Sequence, residues 1–223
     1  MVFKGGIREN RVYVAIAILT ITVIILAIIF GTSQLTQAYI DDDILGIFWT
    51  EDINEREEGS QLFGIEKWVS FTYKNNNKSY PAYVSVTSFK MFFMINENEL
   101  KAKTVETINK ASDQGIVIDK NSKVTGQRVT RDEDHKTNYF IYDGNDTSKE
   151  PFERVKIIGE CWNCEKSGTS IICIGVAQIS NNEHNNLVID DTYWAQIIQD
   201  KIGTFGLDEY IGKNGLISNV ICH

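Results

Sequence analysis

The sequence is poor in proline and histidine, and it lacks the short motifs of several common enzyme classes. Its 223 residues include two prolines and three histidines, with no long Ser, Gly or Gln tract and no internal repeat. These absences exclude collagen, mucin-like stalks, low-complexity linkers and repeat architectures. No GxSxG, P-loop, GxGxxG or HExxH motif occurs, so the sequence predicts no catalytic residue and no cofactor. We therefore expect a protein without intrinsic catalytic activity.

Positive charge is also in short supply. Lys and Arg number 22 against 30 Asp and Glu, which gives a formal net charge of −8. A surface of that sign repels phosphate, so nucleic acid is not an expected partner. Hydrophobic residues make up 43% of the chain, which is enough for a packed core.

Much of the hydrophobic content is concentrated near the N-terminus. Residues 12–30 form an uncharged apolar run, and a helix of that length spans about 28 Å, close to the hydrocarbon core of a bilayer. Lys4, Arg8 and Arg11 precede the run and three aspartates follow it, so the positive-inside rule places the N-terminus in the cytoplasm. The prediction is a cell-membrane protein with membrane lipid and other integral membrane proteins as partners. Its expected parts are a cytoplasmic N-terminus (1–11), a transmembrane helix (12–30), a juxtamembrane segment (31–62) and an extracytoplasmic domain (63–223).

A cleaved secretory signal is the competing interpretation of the same run. Its apolar part is longer than a signal peptide normally carries, but Thr36, Gln37 and Ala38 could form a small-residue cleavage site. In the anchored form, Phe48 and Trp49 are expected near the lipid headgroups. In both cases most of the chain is predicted to be exported.

The four cysteines are Cys161, Cys164, Cys173 and Cys222. Outside the cytosol an even number favours disulfides, and four cysteines allow three pairings. Cys164 and Cys173 flank a turn-like stretch and could face each other across a hairpin, which would leave Cys161 for Cys222. The sequence predicts at least one disulfide among the four and does not decide which.

Two sharper alternatives stay open for these cysteines. One is a redox CxxC formed by Cys161 and Cys164, although these residues lie in a strand-like run and not at a helix N-terminus. The other is a metal site in which His223, and His184 as a further candidate, join the four thiols. A zinc ribbon is excluded because the chain has no second CxxC.

Other polar candidates are weaker. His135 lies in a charge run, which indicates a solvated turn, with a calcium or copper contact as the alternative. Asn77 and Asn145 begin glycosylation sequons in turn-like stretches.

The pattern after the apolar run predicts an α+β domain, an antiparallel β-sheet flanked by two α-helices. The first helix is expected to begin after Asn96, because Glu99 completes a capping pattern, and to end at Gly115. The second is expected to begin at Asp191 and to end at Gly203. Short turns between successive strands favour antiparallel pairing. Strands are predicted at residues 67–73, 82–93, 116–118, 123–130, 137–142, 155–162 and 171–179.

Two resemblances add to this interpretation. The element order over residues 66–203 resembles the PsbP-like fold. Residues 62–69 (LFGIEKWV), 80–87 (YPAYVSVT), 157–164 (IIGECWNC) and 174–178 (IGVAQ) look like uncharacterised exported proteins of ammonia-oxidising archaea. That resemblance implies an outward-facing domain and an accessory subunit of a membrane complex such as ammonia monooxygenase.

The sequence thus favours a single-pass, membrane-anchored interaction domain that belongs to a larger membrane complex. An exported protein that handles copper or another metal through its Cys and His residues is the first alternative. An enzyme or ligand-binding receptor whose site has no local motif is the second.

Overall fold

The computed structural model of the chain describes residues 34–61, 66–77, 81–130, 135–148, 150–179, 187–199 and 215–223, together with Ile21. Short 3₁₀ turns cover Ile53–Glu55, Lys110–Gln114 and Ile217–Asn219. The α-helices are α1 (Asp42–Leu45), α2 (Glu97–Asn109) and α3 (Leu187–Ile198). The strands are β1 (Tyr39–Ile40), β2 (Trp49–Glu51), β3 (Glu57–Gln61), β4 (Glu66–Asn75), β5 (Ala82–Lys90), β6 (Ile116–Val129), β7 (Lys136–Asp146), β8 (Glu153–Cys164), β9 (Thr169–Ile179) and β10 (Val220–Ile221).

An eight-stranded sheet forms the centre of the molecule. Its strand order is β2-β4-β5-β9-β8-β7-β6, with β3 pairing to β4, and β1 and β10 form a separate pair. Every pairing between the described strands is antiparallel. The predicted α+β class with an antiparallel sheet is therefore confirmed.

The two longer helices cover opposite faces of this sheet. On the face that we call the tail face, α3 and residues 215–223 pack over the strands. On the other, the helix face, α2 buries Leu100, Thr104 and Ile108. Each helix lies against a glycine: a Cβ at Gly175 would come within 2.5 Å of the Ile197 side chain, and one at Gly159 within 2.6 Å of the Ile108 side chain. The absence of a side chain at these two positions lets the helices approach the sheet closely.

The helix boundaries agree with the sequence prediction for α2 and differ for α3. The Asn96 side chain accepts a hydrogen bond from the Glu99 backbone N–H at 3.0 Å, and the left-handed Gly115 (φ 90°) ends the 3₁₀ extension of α2. Asp191 lies within α3 and not at its N-cap, because residues 187–189 contain no helix breaker and continue the helix backwards. α3 ends at Ile198, before Gly203, which lies outside the described residues.

β6 is one strand where two were predicted. Its register with β7 shifts between Asp119 and Val124, which is a bulge and not a chain break. The Asp119 carboxylate accepts from the Asn121 N–H, and Ser122 Oγ accepts from the Asp143 N–H. These local bonds let the strand continue through the polar residues that suggested a loop.

The fold begins earlier than residue 63. Ala38, Ile40, Leu45 and Trp49 are buried in the tail-face core, so most of the expected juxtamembrane segment belongs to the domain. Trp49 is 3% exposed, its ring packs edge-on against Tyr193, and its Nε1–H donates to Gln196 Oε1 at 2.7 Å. The expectation that Trp49 lies near lipid headgroups is therefore wrong, because α3 provides a partner for it about 145 residues further along the chain.

The predicted transmembrane helix, residues 12–30, lies outside the described residues apart from Ile21. In the described ranges, no helix has both the length and the apolar character needed to cross a membrane.

Candidate metal centre

Strand register brings a histidine next to a cysteine at one end of the sheet. β7 and β8 pair with Asn138 opposite Cys161, and the same register continued by three residues places His135 opposite Cys164. Side chains alternate between faces along a strand, so both residues point to the tail face. The short β1–β10 pair then directs the last residues of the chain, Cys222 and His223, to this place.

These four side chains form a compact cluster, which we call the Cys/His cluster. Cys164 and Cys222 are joined by a disulfide. His135 Nε2 lies 3.4 Å from Cys222 Sγ, and His223 Nδ1 lies 3.6 Å from Cys164 Sγ and 4.0 Å from Cys222 Sγ. All four potential ligand atoms lie within 4.8 Å of one another.

Neighbouring groups hold both histidines. The backbone N–H of His135 donates to Thr130 Oγ1 and its carbonyl accepts from the Thr130 N–H, each at 2.9 Å. Lys166 Nζ donates to His223 Nε2 at 2.7 Å. Both sulfurs are buried, whereas His223 and Lys166 are exposed. The cluster therefore has two buried sulfurs and one solvent-exposed imidazole.

The expected pairing of Cys164 with Cys173 is wrong. Cys164 lies opposite Thr169 and Cys173 opposite Glu160, so the two cysteines are four residues apart in register, or roughly 13 Å along the strands. A disulfide requires Cα atoms within about 7 Å of each other. The C-terminal residues supply Cys222 as the partner instead.

Cys161 and Cys173 are free thiols and do not join the cluster. Cys161 lies in the core of the helix face and Cys173 in the core of the tail face, so the sheet separates them. Burial raises the pKa of Cys161 to about 11, although a hydrogen bond with Thr104 lowers it, and burial raises the pKa of Cys173 as well. Neither residue has the lowered pKa expected of a redox CxxC thiol.

The chemistry of the cluster depends on the state of its sulfurs. With the disulfide formed, neither sulfur is a thiolate, and thiolates are the form that binds metals. With both thiols reduced, the cluster offers two sulfur and two imidazole donors, the Cys₂His₂ set of tetrahedral zinc sites. The sequence pointed to Cys164, Cys222 and His223 in this role. It treated His135 mainly as part of a solvated turn, because nothing local places that residue opposite Cys164.

The remaining candidates lie apart from the cluster or outside the described residues. His184 lies in the undescribed residues 180–186. Asn145 is exposed in β7 and Asn77 is partly exposed just after β4, positions a glycan could reach.

Sequence reasoning missed a buried ion pair on the tail face of the sheet. Arg128 and Glu160 have side chains that are 1% and 0% exposed, and Arg128 Nε donates to both Glu160 carboxylate oxygens at 2.8 and 3.0 Å. Thr137 Oγ1 also donates to Glu160, and Arg128 Nη1 donates to the carbonyl of Ile198 at the end of α3. The available signal was a single acidic residue inside an apolar strand, since a buried carboxylate requires a partner.

Comparison of the chain with protein-family models, with curated proteins and with solved structures found no match.

Proposed function

We propose that the protein is a single-pass, membrane-anchored extracytoplasmic interaction domain that serves as an accessory subunit of a larger membrane complex. The predicted span at residues 12–30 and the positive charges before it support this orientation. The observation that carries the proposal is a contact at the other end of the span. Lys90 Nζ donates to the carbonyl of Gln34 at 2.8 Å, and Gln34 is the fourth residue after the span. This contact supports a position at the end of β5 for the exit of the proposed span.

Exposed apolar side chains lie at the same end of the sheet. Phe93 follows β5 and is 76% exposed, Met94 is 41% exposed, and the Phe92 ring packs edge-on against that of Phe93 at 4.4 Å. We call residues 92–94 the apolar loop. Phenylalanine and methionine are enriched in protein interfaces, and a loop beside the membrane exit can contact a partner's membrane-proximal surface. The apolar loop is the surface we assign to the partner.

The resemblance described above points to one class of partner. Similarity to exported proteins of ammonia-oxidising archaea supports a place in a complex such as ammonia monooxygenase. An antiparallel sheet with helices on both faces is also what a PsbP-like fold would have.

Topology is tested by adding protease to intact cells or spheroplasts. The exported domain should be digested while a short N-terminal fragment is protected. Protection of the C-terminal part until lysis would overturn the orientation.

The partner surface is tested by co-purification in mild detergent. Phe93→Ser should lose membrane-protein partners that the unchanged protein retains. Phe152→Ser is the matched control, because Phe152 is 58% exposed and precedes β8 at the opposite end of the sheet. Equal partner recovery with both variants would rule out the apolar loop as the partner surface.

Metal handling is a second candidate function, and the Cys/His cluster favours it. A structural disulfide requires only two cysteines. The Cys/His cluster brings four potential ligand atoms within 4.8 Å of one another, and they come from β8, the residue before β7 and the C-terminus. Zinc or copper bound per purified chain, measured by elemental analysis with and without a reductant, tests this function.

A further inference from the structure

We propose that the Cys164–Cys222 disulfide and a Cys₂His₂ metal site are alternative states of the same four side chains. Reduction opens a site for one d¹⁰ metal ion, and reoxidation releases the ion. This inference rests on the second proposed function, metal handling, and adds to it the class of ion and the event that controls binding. It is independent of the membrane-complex proposal.

The positions of the ligand atoms support the proposal. With metal–ligand bonds of about 2.0–2.3 Å, the ligand atoms of a tetrahedral site lie roughly 3.3–3.8 Å apart. His135 Nε2 to Cys222 Sγ (3.4 Å) and His223 Nδ1 to Cys164 Sγ (3.6 Å) are within that range, and His223 Nδ1 to Cys222 Sγ (4.0 Å) is close to it. After reduction the two sulfurs must separate to about 3.7 Å to bind the same ion.

His223 needs one change before it can bind a metal. Its Nε2 now accepts from Lys166, so a free lone pair on Nδ1 requires the ring proton to move to Nε2 and Lys166 to turn away. Lys166 is exposed, so its side chain can turn into solvent. The exposure of His223 also provides a path for the ion into an otherwise buried pair of sulfurs.

Both steps balance chemically. A dithiol reductant attacks the Cys164–Cys222 bond, two electrons pass to the protein sulfurs, and the reductant becomes a cyclic disulfide. A divalent ion then binds two thiolates and two neutral imidazoles, and two thiol protons are released to solvent. In the reverse direction a small-molecule disulfide accepts the two electrons, the protein disulfide forms again, and the ion leaves.

The donor set narrows the choice of ion. Thiolate and imidazole together suit Zn²⁺ and Cu⁺, whereas calcium and magnesium prefer oxygen ligands. Zn²⁺ is the first probe because it takes no part in the redox step. Cu⁺ under anaerobic conditions is the second, and competition between the two decides which ion the site prefers.

The bound ion should replace the disulfide as a link between the C-terminal residues and β8. Disulfide-linked and metal-bound protein both connect Cys222 to Cys164, whereas reduced, metal-free protein does not. The melting temperature should therefore fall on reduction and recover when Zn²⁺ is added.

The experiment titrates the full chain in detergent micelles with Zn²⁺ against a chromophoric chelator, before and after reduction. One ion per reduced chain and none per oxidised chain is expected. His135→Ala and His223→Ala should each weaken binding at least about 100-fold, since even changes behind the ligands cost about 10–100-fold. The two histidine variants retain the disulfide, so their folding can be checked in the oxidised state. Cys222→Ala removes one of the proposed ligands, and Cys161→Ala is its matched control. Because Cys161 lies on the helix face, Cys161→Ala should bind one ion as the unchanged protein does.

Three results would overturn the proposal. Equal Zn²⁺ binding by oxidised and reduced protein would remove the redox control and leave metal handling intact. Zn²⁺ binding that is unaffected by both histidine variants would place the ion elsewhere. No binding of Zn²⁺ or Cu⁺ by the reduced, folded chain would overturn both the redox control and the metal-handling function.

Discussion

Glu160→Gln tests how the buried ion pair stabilises the fold. The substitution keeps the shape of the side chain and removes its negative charge, so the Arg128 guanidinium, which is 1% exposed, loses the Glu160 carboxylate from its ion pair. Arg128 also bonds to the Ile198 carbonyl, so the pair connects β6 and β8 to the end of α3. We expect the loss to affect α3 packing as well as the two strands.

The magnitude follows from complete burial of both groups. Removing one partner of a buried ion pair costs about 3–5 kcal/mol of unfolding free energy, because the remaining buried charge loses that attraction. For a chain of this size each kcal/mol lowers the melting temperature by about 2–4 °C, so Glu160→Gln should lower it by roughly 6–20 °C. Glu106→Gln is the control, because its pair with Lys110 is about two-thirds exposed and contributes less than about 1 kcal/mol.

The assay is thermal and urea unfolding of the full chain in detergent, extended to a double-mutant cycle with Arg128→Met. The double variant should lose less stability than the sum of the two single losses, since both members of the ion pair are then absent. Additive losses, or a Glu160→Gln variant as stable as Glu106→Gln, would refute the argument that these charges stabilise each other.

Three further predictions concern the core. Cys222→Ala should lower the unfolding free energy by about 4 kcal/mol, because the lost disulfide closes a loop between residues 58 apart, and a reduced, metal-free chain should melt at the same temperature as the variant. Gly175→Ala should destabilise by about 1–3 kcal/mol because its Cβ would lie 2.5 Å from Ile197, and an unchanged melting temperature would contradict that close contact. Burial raises the pKa of Cys161 from 9.0 to about 11, so its contribution to stability is present below pH 9 and is lost as the pH rises through 11. The unfolding free energy measured across that pH range should fall more steeply for the unchanged protein than for Cys161→Ala. Parallel curves of unfolding free energy against pH would contradict this.

Local sequence patterns were sufficient to predict many of the strands and helices. Val69, Phe71 and Tyr73 alternate with polar residues, and this period of two identified β4 without any tertiary information. Asn96 and Glu99 identified the start of α2, because a helix cap involves only residues a few positions apart. The antiparallel sheet followed from strands joined by short connections.

Local sequence patterns could not predict contacts between residues far apart in the chain. Trp49 beside a predicted membrane span resembled an interfacial residue, and only α3, brought across the sheet, made it a core residue. The correct disulfide depended on β10 pairing with β1, a two-residue ladder too short to leave a sequence signal.

The sequence by itself therefore determined most of the strands and helices and the acidic composition, and it predicts the anchor and the export of the domain, because each depends on composition or on a period of a few residues. Only the tertiary structure decided that His135, Cys164, Cys222 and His223 meet. The register of β7 and β8 brings His135 next to Cys164. The pairing of β10 with β1 brings Cys222 and His223 to the same place. Both are consequences of packing the whole chain around one core, where residues 87 apart in sequence come within 3.4 Å.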